Sequence, residues 1–141
     1  MPDSIVIGAA LAHRAGYGGH AWALLQYALG FQELGFDVTV VDRLEPGMLG
    51  ATSEGALAYL RGLLGEEAGV SYCVLDTDRR SLDGLSREEV LAKTKAARLL
   101  LNIMGFVRDP ELLAAARRRV AHLFDVVSLP GRTVVQSEEA A

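Results

Sequence analysis

Short apolar runs rich in β-branched residues alternate along the chain with longer segments of helical periodicity. The runs at 4–8, 36–41, 72–75 and 98–103 are typical of strands buried in a sheet, and 123–127 is a weaker fifth candidate. Strands that alternate with helices in this way predict parallel pairing. We therefore expect an α/β domain, a Rossmann-like three-layer sandwich with a mostly parallel sheet of four to five strands.

The helices between these strands are predicted from apolar spacing and from signals at their ends. Apolar residues recur at helical spacing over 19–34 and over 53–66, although two glycines interrupt the second segment. Ser86-Arg87-Glu88-Glu89 matches a capping box, and Asp109-Pro110 is a typical helix start. We interpret Arg117-Arg118-Arg119 as the solvated end of that last helix.

Length and charge narrow the class of protein. The chain has 141 residues, half of them hydrophobic, and a net charge of −4. We expect one domain over residues 1–127 and a weakly ordered tail over 128–141. The acidic balance gives no attraction to phosphate backbones, so nucleic acid is not an expected partner. The chain shows neither a basic leader nor a long apolar run, which predicts a cytoplasmic protein without a membrane span.

Few residues indicate metal or thiol chemistry. The single cysteine, Cys73, lies in an apolar run and is predicted to be a buried hydrophobe. The carboxylate pair in Asp76-Thr77-Asp78 is the best candidate for a metal site, but a self-paired, solvated loop is the simpler interpretation. We expect neither a metal nor a cofactor.

The glycine-rich turn between the first strand and the first helix carries most of the chemical information. It reads Ala15-Gly16-Tyr17-Gly18-Gly19-His20-Ala21-Trp22. Parallel α/β sheets bind ligands at the carboxyl ends of their strands, and glycines there let the backbone approach a ligand closely. We therefore take Gly16, Gly18 and Gly19 as candidate ligand-binding residues. Arg14, in the loop before them, is a candidate for binding a phosphate.

Three interpretations of this turn stay open. In the first, Gly16-x-Gly18-x-x-Ala21 is a dinucleotide fingerprint and Asp42 binds a ribose hydroxyl, although eight residues separate Ile7 from Gly16 where a fingerprint turns directly off its strand. In the second, His20 is kept neutral by the helix dipole and accepts a proton from an acceptor hydroxyl in a glycosyl transfer. In the third, the turn is purely structural.

Gly18-Gly19-His20, the helix after it and the strand motif Gly35-Phe36-Asp37-Val38-Thr39-Val40-Val41 together resemble the N-terminal, acceptor-binding domain of GT-B glycosyltransferases. The resemblance is in particular to the inverting, nucleotide-sugar-dependent kind. The stretches 15–46 and 99–106 also look like bacterial glycosyltransferase-like proteins. The likeness covers about residues 4–120.

The resemblance implies that His20 is the base that activates the acceptor. In the inverting family an aspartate at the end of a later strand orients that histidine, and the corresponding position here is Asn102. An amide can fix the ring by a hydrogen bond, but it cannot stabilise an imidazolium by charge. Asp42, Asp76 and Asp125 are alternative partners for the ring.

The resemblance also implies a nucleotide-sugar donor, a small-molecule or glycan acceptor, and a second domain that makes most of the donor contacts. A chain of 141 residues has no room for that second domain. We therefore expect an acceptor-side half, a truncated protein or one that needs a partner domain or subunit, and no sugar transfer by the isolated chain. A small NAD(P)-binding protein and a non-catalytic interaction subunit are the alternatives.

Overall fold

The computed structural model describes residues 3–12, 18–44, 53–103, 105–122 and 133–134. Its strands are β1 (Ser4–Gly8), β2 (Asp37–Arg43), β3 (Ser71–Leu75), β4 (Ser81–Gly84), β5 (Leu99–Ile103), β6 (Arg119–His122) and β7 (Thr133–Val134). Its helices are α1 (Gly18–Glu33), α2 (Ser53–Leu60), a π-helical continuation (Arg61–Glu67), α3 (Arg87–Ala96) and α4 (Pro110–Ala115).

All the described strands form one sheet in the order β4-β3-β2-β1-β5-β6-β7. The five inner strands run parallel, while β4 and β7 pair antiparallel at the two edges. The chain places β2 on one side of β1 and, later in the sequence, β5 on the other side of β1. This reversal at β1 and β5 is the switch point at which open α/β sheets bind ligands.

Two apolar cores cover the two faces of the sheet. On one face α1 and α2 pack side chains such as Leu24 and Leu60 against Ile7 of β1. On the other face α3 and α4 contribute Val90 and Leu112 to a second buried cluster. Alternate residues of each strand point to opposite faces, so a strand covered on both sides is apolar throughout. The α/β, Rossmann-like prediction is confirmed in these broad terms.

The number of strands was predicted wrongly. The sheet has six strands of at least four residues and the two-residue β7, where four to five were expected. The missed strand β4 is largely exposed and has no apolar run, so its local pattern resembles a loop. The last long strand, β6, lies before the predicted 123–127, which is outside the described residues. Thr133–Val134 pairs with β6 within the segment predicted as a tail.

The helix ends are partly as predicted. Ser86 and Glu89 form both hydrogen bonds of the capping box at the start of α3, and the carboxylate of Asp109 caps α4. The single helix predicted over 53–66 instead changes to π-helical geometry at Arg61. The arginine run is not a helix end, because α4 stops at Ala115 and Arg119 already belongs to β6.

Candidate functional site

A cleft of about 350 Å³ opens at the carboxyl ends of β2 and β3, beside the loop that follows β5. One part of its wall is apolar and includes Leu75, Val107 and Pro110. The charged part of the wall consists of three arginines and three aspartates, which are Arg43, Arg79, Arg108, Asp42, Asp76 and Asp109. The cleft therefore combines apolar surface with charges of both signs at the ligand-binding edge of the sheet.

Asp42 fixes the chain where it leaves β1. Its side chain is buried, and Oδ2 accepts hydrogen bonds from the backbone N–H groups of Leu11 at 2.7 Å and Ala12 at 2.8 Å. Oδ1 accepts a third, at 2.7 Å, from the N–H of Arg43. Burial raises the pKa of Asp42 to about 7, although these three donors and the charge of Arg43 act to lower it. The segment leading toward the glycine-rich turn is thus tied to the end of β2.

Asn102 performs a similar task for the loop after β5. Its side-chain nitrogen donates to the carbonyl of Val107 at 3.0 Å, and its oxygen accepts from the N–H of Val107 at 3.0 Å. The loop then lies directly over the end of β1, because a Cβ on Gly8 would overlap the Val107 side chain. Gly8 is therefore needed for close packing at this point, and Asn102 holds the cleft wall in place.

Arg43 and Phe106 meet across the cleft. The guanidinium carbon of Arg43 lies 4.3 Å from the centroid of the Phe106 ring, which is within cation–π distance. Arg43 comes from the end of β2 and Phe106 from the loop after β5, so the contact joins two walls of the cleft. The guanidinium of Arg43 and the ring of Phe106 therefore lie together in the cleft wall.

The negative charge of Asp109 is balanced by an arginine that lies outside the cleft. Arg87 of α3 donates to both of its carboxylate oxygens and also reaches Glu111 at 3.1 Å. Burial acts to raise the pKa of Asp109, but the hydrogen bonds and charge of Arg87, with the amides of Glu111 and Leu112, hold it below its usual value. Asp109 thus stays ionised and paired at neutral pH.

Arg79 reaches the cleft from the tight turn between β3 and β4. In that turn the N–H of Arg79 donates to the carbonyl of Asp76 at 3.0 Å, and Oδ1 of Asp76 accepts from the N–H of Arg80 at 2.9 Å. Arg79 has φ 63°, a left-handed conformation that is uncommon for a residue with a side chain. Its Nη1 lies 3.8 Å from Oδ1 of Asp109. Asp76 therefore stabilises this turn by a hydrogen bond from the backbone.

Cys73 is buried in β3, which confirms its prediction as a small hydrophobe. Burial raises the pKa of its thiol, against a weak hydrogen bond to Ser81. A raised pKa leaves little thiolate at neutral pH, so this thiol is a poor nucleophile. Within the described part of the chain, no group of acidic, histidine and cysteine side chains is arranged to hold a metal ion.

The structure brings two of the predicted site residues, Asp42 and Asn102, to this edge of the sheet. Both make hydrogen bonds to the backbone rather than presenting free side chains. Gly18, Gly19 and the backbone of His20 form the first turn of α1, with open space around Gly19. Arg14, Gly16 and the side chain of His20 lie outside the described part of the structure, so the pairing of His20 with Asn102 stays a prediction.

Four cleft residues were missed by sequence reasoning: Arg43, Arg79, Phe106 and Arg108. Arg43 is the last residue of β2, and Phe106 and Arg108 lie in the loop after β5, so their position at the carboxyl ends was the signal that could have found them. Arg79 gave no signal, because a positive φ at an arginine is not visible in a sequence.

A scan against protein-family models, a search of the curated proteins and a search of the solved structures each gave no match to this chain. None of the helices in the described ranges is long and apolar enough to cross a membrane.

Proposed function

We propose that this domain forms the acceptor-binding side of a glycosyl-transfer site, with a nucleotide-sugar donor held by a second domain. The main support is the position of the cleft at the carboxyl edge of the sheet. The chain that leaves β1 at this same edge leads through the glycine-rich turn into α1. The first turn of that helix, which contains His20, is therefore at the same edge of the sheet as the cleft.

The proposed chemistry is an inverting displacement. The acceptor hydroxyl attacks the anomeric carbon of the donor, the new glycosidic C–O bond forms, and the bond to the nucleoside diphosphate breaks. His20 takes the proton that the hydroxyl loses, and the diphosphate leaves as an anion. A helix N-terminus disfavours imidazolium, which keeps His20 neutral and able to accept that proton.

The geometry of Asp42 favours this proposal over dinucleotide binding. In a dinucleotide fingerprint the acidic residue after the second strand presents its carboxylate to a ribose. Here that carboxylate is 2% exposed and already accepts three backbone hydrogen bonds, two of them from Leu11 and Ala12. A ribose would have to displace the backbone of the loop to reach it.

The proposal is tested by measuring acceptor binding and sugar transfer separately on the 141-residue chain. In a ¹⁵N NMR titration, a neutral hydroxyl-bearing probe such as 4-hydroxybenzamide should shift amide signals of residues 106–109 and of the first turn of α1. His20→Gln should leave that binding in place. UDP- and dTDP-sugars should bind weakly and should not be turned over by the chain alone.

Two results would contradict the proposal. Robust turnover of a nucleotide-sugar by the isolated chain would show that no second domain is needed for the donor. Micromolar NAD(P) binding that is lost in Asp42→Ala would favour the dinucleotide alternative instead.

A further inference from the structure

We propose that the cleft selects acceptors in which a planar ring carries an acidic group, with Arg108 binding the acid and Arg43 the ring. This inference rests on the proposed function and extends it to a class of substrate.

The carboxylates that line the cleft already have donors within the protein. Asp42 accepts three backbone N–H groups, and Asp76 accepts the N–H of Arg80. Asp109 is bound through both oxygens by Arg87, which approaches from α3 and does not line the cleft. Asp109 is therefore balanced by a cation, and Asp42, whose pKa burial raises to about 7, carries less than a full negative charge at neutral pH.

The charges of two cleft arginines, Arg79 and Arg108, are less fully balanced by carboxylates. Arg108 is exposed and makes no hydrogen bond or ion pair with any other residue that the structure describes. Arg79 lies near Asp109, but Arg87 already balances that carboxylate. A net positive field remains at the mouth of the cleft, and an arginine binds a carboxylate or phosphate through two parallel hydrogen bonds.

The same cleft offers a surface for a flat ring. The guanidinium of Arg43 lies over Phe106, and guanidinium planes stack on aromatic rings. Leu75, Val107 and Pro110 add apolar wall around this surface. A volume of about 350 Å³ is at the small end of ligand pockets, which suits one substituted ring better than a long chain.

The test compares 4-hydroxybenzoate with its neutral analogue 4-hydroxybenzamide in ¹⁵N NMR titrations. The two probes share the ring and the hydroxyl group and differ mainly in charge. We expect 4-hydroxybenzoate to bind about tenfold more tightly, since a charge-assisted pair contributes roughly 1.4 kcal/mol or more. Arg108→Gln should reduce that preference to less than about threefold, because the amide keeps polarity but loses the charge.

Arg98→Gln is the matched control. Arg98 is also exposed but lies at the amino end of β5, at the opposite edge of the sheet, where it pairs with Asp3. It should leave the preference unchanged. Phe106→Leu should weaken both probes by a similar factor, because it removes the ring beneath Arg43.

Equal affinity for the two probes, or a preference that survives Arg108→Gln, would overturn the inference. If both probes bind equally and still shift signals in the first turn of α1, the substrate class is wrong while the proposed function stands. If neither probe binds at this edge, both proposals fail.

Discussion

Replacing Asp42 by asparagine is expected to change how the stability of the domain depends on pH. The unfolded chain ionises Asp42 near its usual pKa of 3.8, whereas the buried group ionises at about 7. Between these values the folded state binds more protons than the unfolded state, so stability falls as pH rises. A shift of about three pKa units corresponds to on the order of 4 kcal/mol.

The assay is urea unfolding of the wild type and of Asp42→Asn at half-unit steps from pH 4 to pH 8. Every other titrating group is common to both proteins, so the difference between their unfolding free energies isolates Asp42. Relative to the variant, the wild type should lose about 4 kcal/mol of unfolding free energy as the pH rises over this range. Most of the change should fall between pH 4 and pH 7. Any loss of the Arg43 N–H hydrogen bond in the variant does not depend on pH.

Asp37→Asn is the matched control, because Asp37 lies on the same strand but is exposed and paired with Lys93. Its effect should stay within about 1 kcal/mol over the same range. A flat difference for Asp42 would show that the three N–H donors offset the cost of burial. A difference that moves in favour of the wild type as pH rises would show that they outweigh it, which would refute the reasoning.

Three further predictions concern the packing of the same edge. Gly8→Ala should destabilise the domain by about 2–3 kcal/mol, because the added Cβ would overlap Val107. Gly30→Ala should instead stabilise it by up to about 1 kcal/mol, because Gly30 lies in α1 with open space around it. Similar urea midpoints for these two variants would contradict the packing argument. Asn102→Asp should lower the free energy of unfolding by about 2–3 kcal/mol at neutral pH, since a carboxylate cannot donate to the carbonyl of Val107. An unchanged urea midpoint would mean that this contact contributes nothing. Arg79→Gly should be about 1 kcal/mol more stable than Arg79→Ala and should unfold at a higher temperature, because only glycine adopts φ 63° without strain. The reverse order would show that there is no strain at this position.

The strands β1, β2, β3 and β5 were predictable because they are covered on both faces of the sheet, whereas the inner strand β6 was not predicted. In β1 and β2 both alternating sets of side chains are mostly apolar, and this gives a continuous run that a sequence shows directly. The strand β4 depends instead on pairing with β3, while its own residues are polar or exposed. Pairing between strands is not encoded in the local pattern of one strand.

The candidate site was predictable in place but not in detail. The carboxyl ends of parallel strands indicate where ligands bind, and Asp42 lies there. Its bonds to Leu11 and Ala12 join residues about thirty positions apart, so no local pattern shows whether the carboxylate faces a ligand or the backbone. The same holds for Arg43 and Phe106, which meet only after β2 and β5 have been placed in the sheet.

The strand order has a consequence for synthesis on the ribosome. β1 lies at the middle of the sheet, yet its second neighbour is β5, and the ion pair between Asp3 and Arg98 beside these strands spans 95 positions. During translation β1 leaves the exit tunnel long before β5 has been made. Until then one edge of the central strand has unpaired N–H and C=O groups, the feature that promotes aggregation between chains. A nascent chain paused before residue 99 would therefore have β1 as an edge strand instead of a central one.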